Sequence, residues 1–461
     1  MPIVGAFIVP HPPIILPEIG RGQEAQIQKT IVAYQEIARR IEQLKPDTIV
    51  VTTPHSILYS DYIHLSPGSK AEGSFKDFGV PNVKMAVDYD NELVKAIIAE
   101  AESEGISAGM EGERNKLLDH GTMVPLYFIN QRYSKYKLVR IAISGLPLLT
   151  HYDFGRCLAK AIKESNKRVV LIASGDLSHK LKEDGPYGLS EEGPIFDKEI
   201  TQAIAVGDFL KLISFDESFC DAAAECGLRS FIIMSGALDG KSVKSELLSY
   251  EGPFGVGYAV AAYEITGEDE NRQFGKSYQQ IEEMKLKNLK KNEDSYVRLA
   301  RQTLEHYVNA QTNMDRPLDI PEELTNRQAG VFVSLKLNGR LRGCIGTIFP
   351  CTGSVADEII RNVVLAGTED PRFEPVRKEE LSKLVYSVDV LGQIEPISSI
   401  EELDTKRYGV IVRTKSKSGL LLPNLVGIDS PIDQVNIALK KAGISYHERY
   451  EMDRFEVVRH F

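Results

Sequence analysis

The chain is sparing with cysteine, has no basic excess, and contains no long apolar run. Its five cysteines, Cys157, Cys220, Cys226, Cys344 and Cys351, are odd in number and never fall in CxxC spacing, which excludes a disulfide framework or a zinc knuckle as organising features. They read as reduced thiols of a cytosolic protein. No run reaches the ~20 apolar residues of a spanning helix, and the amino terminus lacks the basic region, apolar run and small-residue cleavage site of a signal peptide. A cytoplasmic protein without membrane association is expected. Against 65 acidic residues stand 55 basic ones, a formal charge of −10, so the basic face that nucleic acid requires is not expected.

What is present is an ordinary globular composition, 43% hydrophobic and 26% charged. A length of 461 residues exceeds a single core and predicts two or three domains. Up to about Thr266, apolar strands alternate with helix-length stretches. Strands are predicted at Ile3 to Val9, Thr48 to Thr53, Lys137 to Ile143 and Arg168 to Ser174. Helices are predicted at Glu24 to Leu44, Asn91 to Ser103, Tyr152 to Ser165 and Pro194 to Ala205. A small-residue helix, Asp221 to Gly236, and a strand, Val256 to Ile265, follow. That alternation predicts an α/β sandwich around a mostly parallel sheet. A charged stretch, residues 267–292, reads as a partly helical connector. An α+β domain, residues 293–461, completes the chain, the first domain being residues 1–266. No internal repeat is found.

Two histidines stand just past β-branched runs, in Val9-Pro10-His11-Pro12-Pro13 and Thr53-Pro54-His55-Ser56, with one helix-length stretch between them. Strand, helix, strand order places them at the carboxyl edge of neighbouring parallel strands, where α/β sheets build their sites. From this pair alone, metal ligands and turn histidines beside prolines are both open. His179 and Asp176 again follow a hydrophobic strand, in Ser174-Gly175-Asp176-Leu177-Ser178-His179, and Asp119-His120-Gly121 and Glu225-Cys226-Gly227 add further polar groups. A non-haem Fe(II) centre needs two neutral imidazoles and a carboxylate on one face, with positions left for substrate and dioxygen. His11, His55 and Glu225 supply that set. An unligated His179 would serve as acid or base.

These motifs, with Val124-Pro125-Leu126, resemble the catalytic LigB-type subunit of class III extradiol dioxygenases over roughly the first 265 residues. The resemblance implies His11, His55 and Glu225 as iron ligands, His179 as catalytic base, and His120 as a residue that hydrogen-bonds substrate or a ligand. It implies dioxygen as co-substrate and a catechol-like aromatic diol as substrate. His120 could instead cap a helix, and Asp176 could either orient a histidine or cap a turn. His64 and His151 read as surface or packing residues. The related Memo family has the same fold with cysteine as third ligand. If residues 225 and 226 are helical they point about 100° apart, so one of Glu225 and Cys226 faces the metal. The hard oxygen of Glu225 suits iron, whereas Cys226 would suit softer metals. Glu225 is expected as ligand and Cys226 as packing.

In the second domain, Leu341-Arg342-Gly343-Cys344-Ile345-Gly346-Thr347, Thr368-Glu369-Asp370-Pro371-Arg372-Phe373 and Gly419-Leu420-Leu421-Leu422-Pro423 resemble the AMMECR domain. Cys344 could be nucleophilic if its pKa were depressed; a structural or ligand-contact role is the expectation. Arg342, Asp370 and Arg372 read either as a polar binding site or as surface ion pairs. Domains of these two kinds occur in the AmmeMemoRadiSam system beside a radical S-adenosylmethionine protein, which implies such a protein as partner. Three functions follow: an Fe(II) extradiol-type dioxygenase, a non-catalytic binding or scaffold component, and a nonoxidative metal enzyme or carrier using another divalent ion. Oligomeric state is left open, a homo-oligomer included.

Overall fold

A computed structural model describes residues 2–461 apart from Arg114, Asn115, Asn338 and Val426. It divides into two compact units, Met1–Ile281 and Glu282–Phe461.

Six strands form the central sheet of the first unit: β1 (Ile3–Val9), β2 (Thr48–Thr53), β3 (Lys137–Ala142), β4 (Val169–Ser174), β5 (Lys241–Glu251) and β6 (Tyr258–Glu268). Their spatial order is β3-β2-β4-β1-β6-β5. The first four run parallel, and β6 and β5 add antiparallel pairs at the other edge. Strands β2 and β4 are buried at every position, as expected where helices cover both faces of a parallel sheet. Alternation divides their side chains between two cores. Ala6, Ile8, Val50, Leu171 and Ala261 pack on one side; Phe7, Val9, Val51, Ile172 and Val260 pack on the other.

The first core is covered by α2 (Asn91–Ser103), α4 (Leu148–Ser165), α5 (Glu192–Val206) and α7 (Leu228–Ala237). The second is covered by α1 (Gln28–Leu44) and α3 (His120–Asn130). On α1 the buried residues Tyr34, Ile37 and Ile41 recur at three- and four-residue spacing, the stripe of an amphipathic helix.

Two expectations are corrected. β1 and β2 are not neighbours, because β4 inserts between them and pairs with both; Asp176 and His179 therefore leave the sheet between the two histidine-bearing strands. The expected helix Asp221 to Gly236 is broken into α6 (Glu217–Ala223) and α7 by a turn in which Ala224 takes φ 52°. The charged connector, expected to be partly helical, carries a helix, α8 (Phe274–Asn292). The hairpin of Lys70–Phe75 with Val80–Asp88 and the strand β5 were not anticipated. β5 lies at the sheet edge and the hairpin stands apart from the sheet, and neither shows a fully apolar run.

The second unit is α+β. An antiparallel sheet in the order Arg340–Gly346, Val331–Leu337, Leu384–Leu391, Val457–His460 packs against helices Ser295–Ala310 and Val355–Thr368. A second sheet, Glu395–Ile397, Glu451–Phe455, Gly409–Arg413, Ser418–Leu421, packs on helix Pro431–Ala442.

Candidate metal centre

The carboxyl ends of β1, β2 and β4 meet at one rim. His11, buried, follows β1, and its backbone N–H donates to Asp176 Oδ1 at 2.8 Å. Its Nδ1 lies 3.0 Å from Ser174 Oγ, and that hydroxyl lies 2.6 Å from the Gly121 carbonyl. A carbonyl oxygen can only accept, so the single hydroxyl proton of Ser174 goes to Gly121. Ser174 must then accept from Nδ1–H of His11, which leaves a lone pair on His11 Nε2. This is the second-partner arrangement that fixes the tautomer of a metal-ligating histidine.

His11 Nε2 faces His55 Nε2 at 2.9 Å and Cys226 Sγ at 3.6 Å. These three atoms make the one cluster with metal-ligand spacing found among the described residues. His120 stacks on His55 with ring centroids 4.1 Å apart and stands edge-on to His11 at 5.5 Å. Its place is set by the start of α3, where Asp119 caps the helix by accepting from Thr122 N–H at 3.0 Å and from Thr53 Oγ1 at 2.6 Å. Gly121 is required here, since a Cβ would strike Thr53 Oγ1.

Burial lowers the pKa of His11 far below its ordinary value, and the neighbouring imidazoles lower it further. His55 is lowered to about 4, by burial first and then by His120. Burial also lowers His120 and His179. All four rings are thus neutral at neutral pH, the form in which imidazole binds a metal or accepts a proton.

The third position departs from expectation. Glu225 does not join the histidines: its Oε2 accepts from Leu228 N–H at 2.6 Å at the start of α7. Because the backbone turns at Ala224, residues 225 and 226 are not helical, and Cys226 faces the centre. A close glycine pair holds this turn against the end of β4. A Cβ on Gly175 would fall on the Cα of Gly227. Asp176 N–H donates to Cys226 Sγ at 3.3 Å. Burial pushes the Glu225 carboxyl up to about 7, with the Leu228 N–H opposing.

Asp176 itself is buried. Its Oδ2 is 3.9 Å from His11 Nε2, and burial pushes its carboxyl up to about 7, with the His11 N–H opposing. His179 lines the same cavity as His11, His55 and His120, with Tyr187 edge-on at 5.2 Å. The cavity measures about 720 Å³, and Phe78, Phe254 and Tyr258 line it as well. Sequence reasoning missed these aromatics and the role of Ser174. His151 and His64 are buried packing residues, His151 Nε2 accepting from Ser144 N–H at 3.1 Å.

In the second unit Cys344, Asp370 and Arg372 come together. Cys344 N–H donates to Asp370 Oδ2 at 2.8 Å, Arg372 pairs with both Asp370 oxygens, and Ser334 Oγ donates to Cys344 Sγ at 3.3 Å. Arg372 holds the Asp370 carboxyl well below the usual carboxylate range. Arg342 turns elsewhere, to a bidentate pair with Glu380.

Fold and site define a class: an α/β sandwich with a cluster of metal-ligand type at the carboxyl edge of its sheet, joined to an α+β unit. The chain belongs to the LigB family, whose members are generally metal-dependent. Residues 5–261 match the catalytic LigB subunit of aromatic ring-opening dioxygenase, and residues 297–460 match AMMECR1. Protein CA_C1420 of Clostridium acetobutylicum is 44% identical over 100% of this chain and 99% of its own length. A Thermotoga maritima protein is 45% identical over 36% of this chain and 98% of its own. Among solved structures, uncharacterized protein PH0010 of Pyrococcus horikoshii aligns with TM-score 0.34 and 31% identity, covering 36% of this chain and 88% of that one. Uncharacterized protein JW3007 of Escherichia coli K12 aligns with TM-score 0.39 and 15% identity, covering 56% and 99%. No helix among the described residues is long and apolar enough to cross a membrane.

Proposed function

We propose that the first unit is a metal-dependent oxidoreductase of dioxygenase type, acting on a small aromatic diol, with its metal held by His11, His55 and Cys226. The observation that carries this reading is the convergence of two imidazole Nε2 atoms and a thiol on one point beside an aromatic-lined cavity. The donor set fits a metal ion, since the Ser174 hydrogen bond turns a lone pair of His11 inward. Two imidazoles and a thiolate suit a borderline or softer ion better than the two-histidine, one-carboxylate set of non-haem iron. Fe(II), Zn(II) and Cu(I) are therefore the ions to compare. When bound, a redox-active ion would acidify a diol hydroxyl and pass electrons from the diol to dioxygen.

The chain's own residues do the rest. Neutral His179 accepts a proton from the substrate hydroxyl. His120, stacked on His55, offers a hydrogen bond to the substrate oxygen. Phe78, Tyr187, Phe254 and Tyr258 pack the ring and exclude water. Asp176 fixes the His11 backbone.

Anaerobic loading with each ion, followed by metal analysis and oxygen uptake with catechols, tests this. One equivalent of metal is expected in the native protein, with an affinity loss on the order of 100-fold in Cys226→Ala and retained stoichiometry in Glu225→Gln. The reverse pattern would restore Glu225 as ligand, and absence of bound metal in all cases would sink the proposal.

A second reading draws on the thiol standing where the iron triad has a carboxylate. The unit would then be a non-catalytic metal-binding component working with a radical S-adenosylmethionine protein. In that case His179→Ala leaves cellular function intact and no catechol elicits oxygen uptake.

A further inference from the structure

Between β4 and α5 the chain runs along the mouth of the cavity, which Lys182, Asp184, Gly185, Pro186 and Tyr187 of that loop line. The base of the loop is fastened. Leu181 bridges to Leu189, Leu181 N–H donates to the Gly255 carbonyl at 3.1 Å, and Ser190 Oγ donates to the Ala222 carbonyl at 3.1 Å. The tip, residues 182–188, is held far less. Among the described residues one hydrogen bond ties it to the rest of the molecule, from Lys182 Nζ to the Pro253 carbonyl at 2.7 Å. The others close turns inside the tip, from Gly185 N–H to the Lys182 carbonyl and from Gly188 N–H to the Gly185 carbonyl. A segment with few ties and exposed side chains opens and closes at low free-energy cost.

Tyr187 is the one aromatic ring of this tip. It is 60% exposed, although it lines the cavity and stands edge-on to His179. A ring so far in water neither packs closely on a substrate nor keeps water from it. Removing that apolar surface from water is favourable once a ligand ring offers a partner. The backbone leaves room for the movement. Where the tip meets the turn at residues 252–255, two glycines face each other, and a Cβ on Gly185 would stand 3.2 Å from the Cα of Gly255. The backbones pass there without an interlocking side chain from either position. At the other end of the tip Gly188 has φ 74°, a joint that only glycine takes without strain.

We propose that residues 182–188 form a lid hinged at the Leu181–Leu189 bridge: when an aromatic ligand binds beside His179, the tip moves inward and carries Tyr187 from solvent onto the ligand ring. This rests on the aromatic-diol reading of the cavity.

The chain contains no tryptophan, so Tyr187→Trp places a single reporter on the lid. The full-length protein, loaded with redox-inert Zn(II), is titrated with catechol, and binding is followed independently by calorimetry. At saturation the indole emission is expected to move to the blue and its quenching by acrylamide to fall severalfold. In the native protein, hydrogen exchange read by mass spectrometry is expected to slow across residues 182–188 on addition of catechol. Catechol binding with neither change overturns the lid alone. An indole already shielded without catechol, to a degree that rises with protein concentration, also overturns it, because a second copy would then cover Tyr187. Failure of catechol to bind the native protein overturns the lid together with the diol reading.

Discussion

Ser174 contributes one hydroxyl to the site, yet that group decides which nitrogen of His11 faces the centre. Removing it frees the ring to carry its proton on Nε2, where a metal would have to displace it. Ser174→Ala is expected to weaken metal binding by about 10- to 100-fold, read by competition with a chelator, while the protein stays folded. Asp197 acts behind the site. Its Oδ1 accepts from Ser178 N–H at 2.8 Å and its Oδ2 from the Tyr250 hydroxyl at 2.7 Å, and burial pushes its carboxyl up to about 6 from 3.8. The folded state thus holds this proton more tightly than the unfolded one, so the stability it confers is complete below about pH 4 and is lost as pH rises to about 6. Thermal melts across that window should show the native protein losing stability relative to Asp197→Asn as pH rises. A constant difference between the two would refute the assignment. His11, His55, His120 and His179 were legible because each follows an apolar run or a turn signal; Ser174 and Asp197 were not, because their roles exist only through distant partners.

At the scale of elements, the strands were legible and the turn at 224–227 was not. Val169-Val170-Leu171-Ile172-Ala173 could only be a buried strand, and the structure has it so. Residues 221–236 look continuous on helical periodicity, since neither a proline nor a run of polar residues breaks them. At the break Ala224 closes α6 in a left-handed conformation and Gly227 packs directly against Gly175. That choice of backbone exchanges Glu225 for Cys226 at the centre. Gly175→Ala should push the turn away from β4, lowering stability by about 2 kcal/mol or more and abolishing metal binding. Denaturant melts and metal titration of the same variant check both, and unchanged metal affinity would mean that the turn does not position Cys226.

For the whole molecule, the two units have separate cores, so ligand linkage should be confined to one of them. Calorimetry of the intact chain is expected to resolve two transitions, with added metal raising only that of the unit Met1–Ile281. At metal 100 times Kd the stabilisation is about 2.7 kcal/mol. A single transition that moves as a whole with added metal would show that the units unfold as one.

The sequence by itself determined the two-unit plan, the parallel sheet and the histidines at its carboxyl edge, because apolar runs, helical periodicity and local motifs are properties of contiguous residues. Tertiary structure alone decided that β4 separates β1 from β2, that Ser174 orients His11, and that a thiol rather than a carboxylate meets the two imidazoles. Each of these depends on which distant backbones come into contact, and a one-residue choice between Glu225 and Cys226 has no periodic signature to betray it.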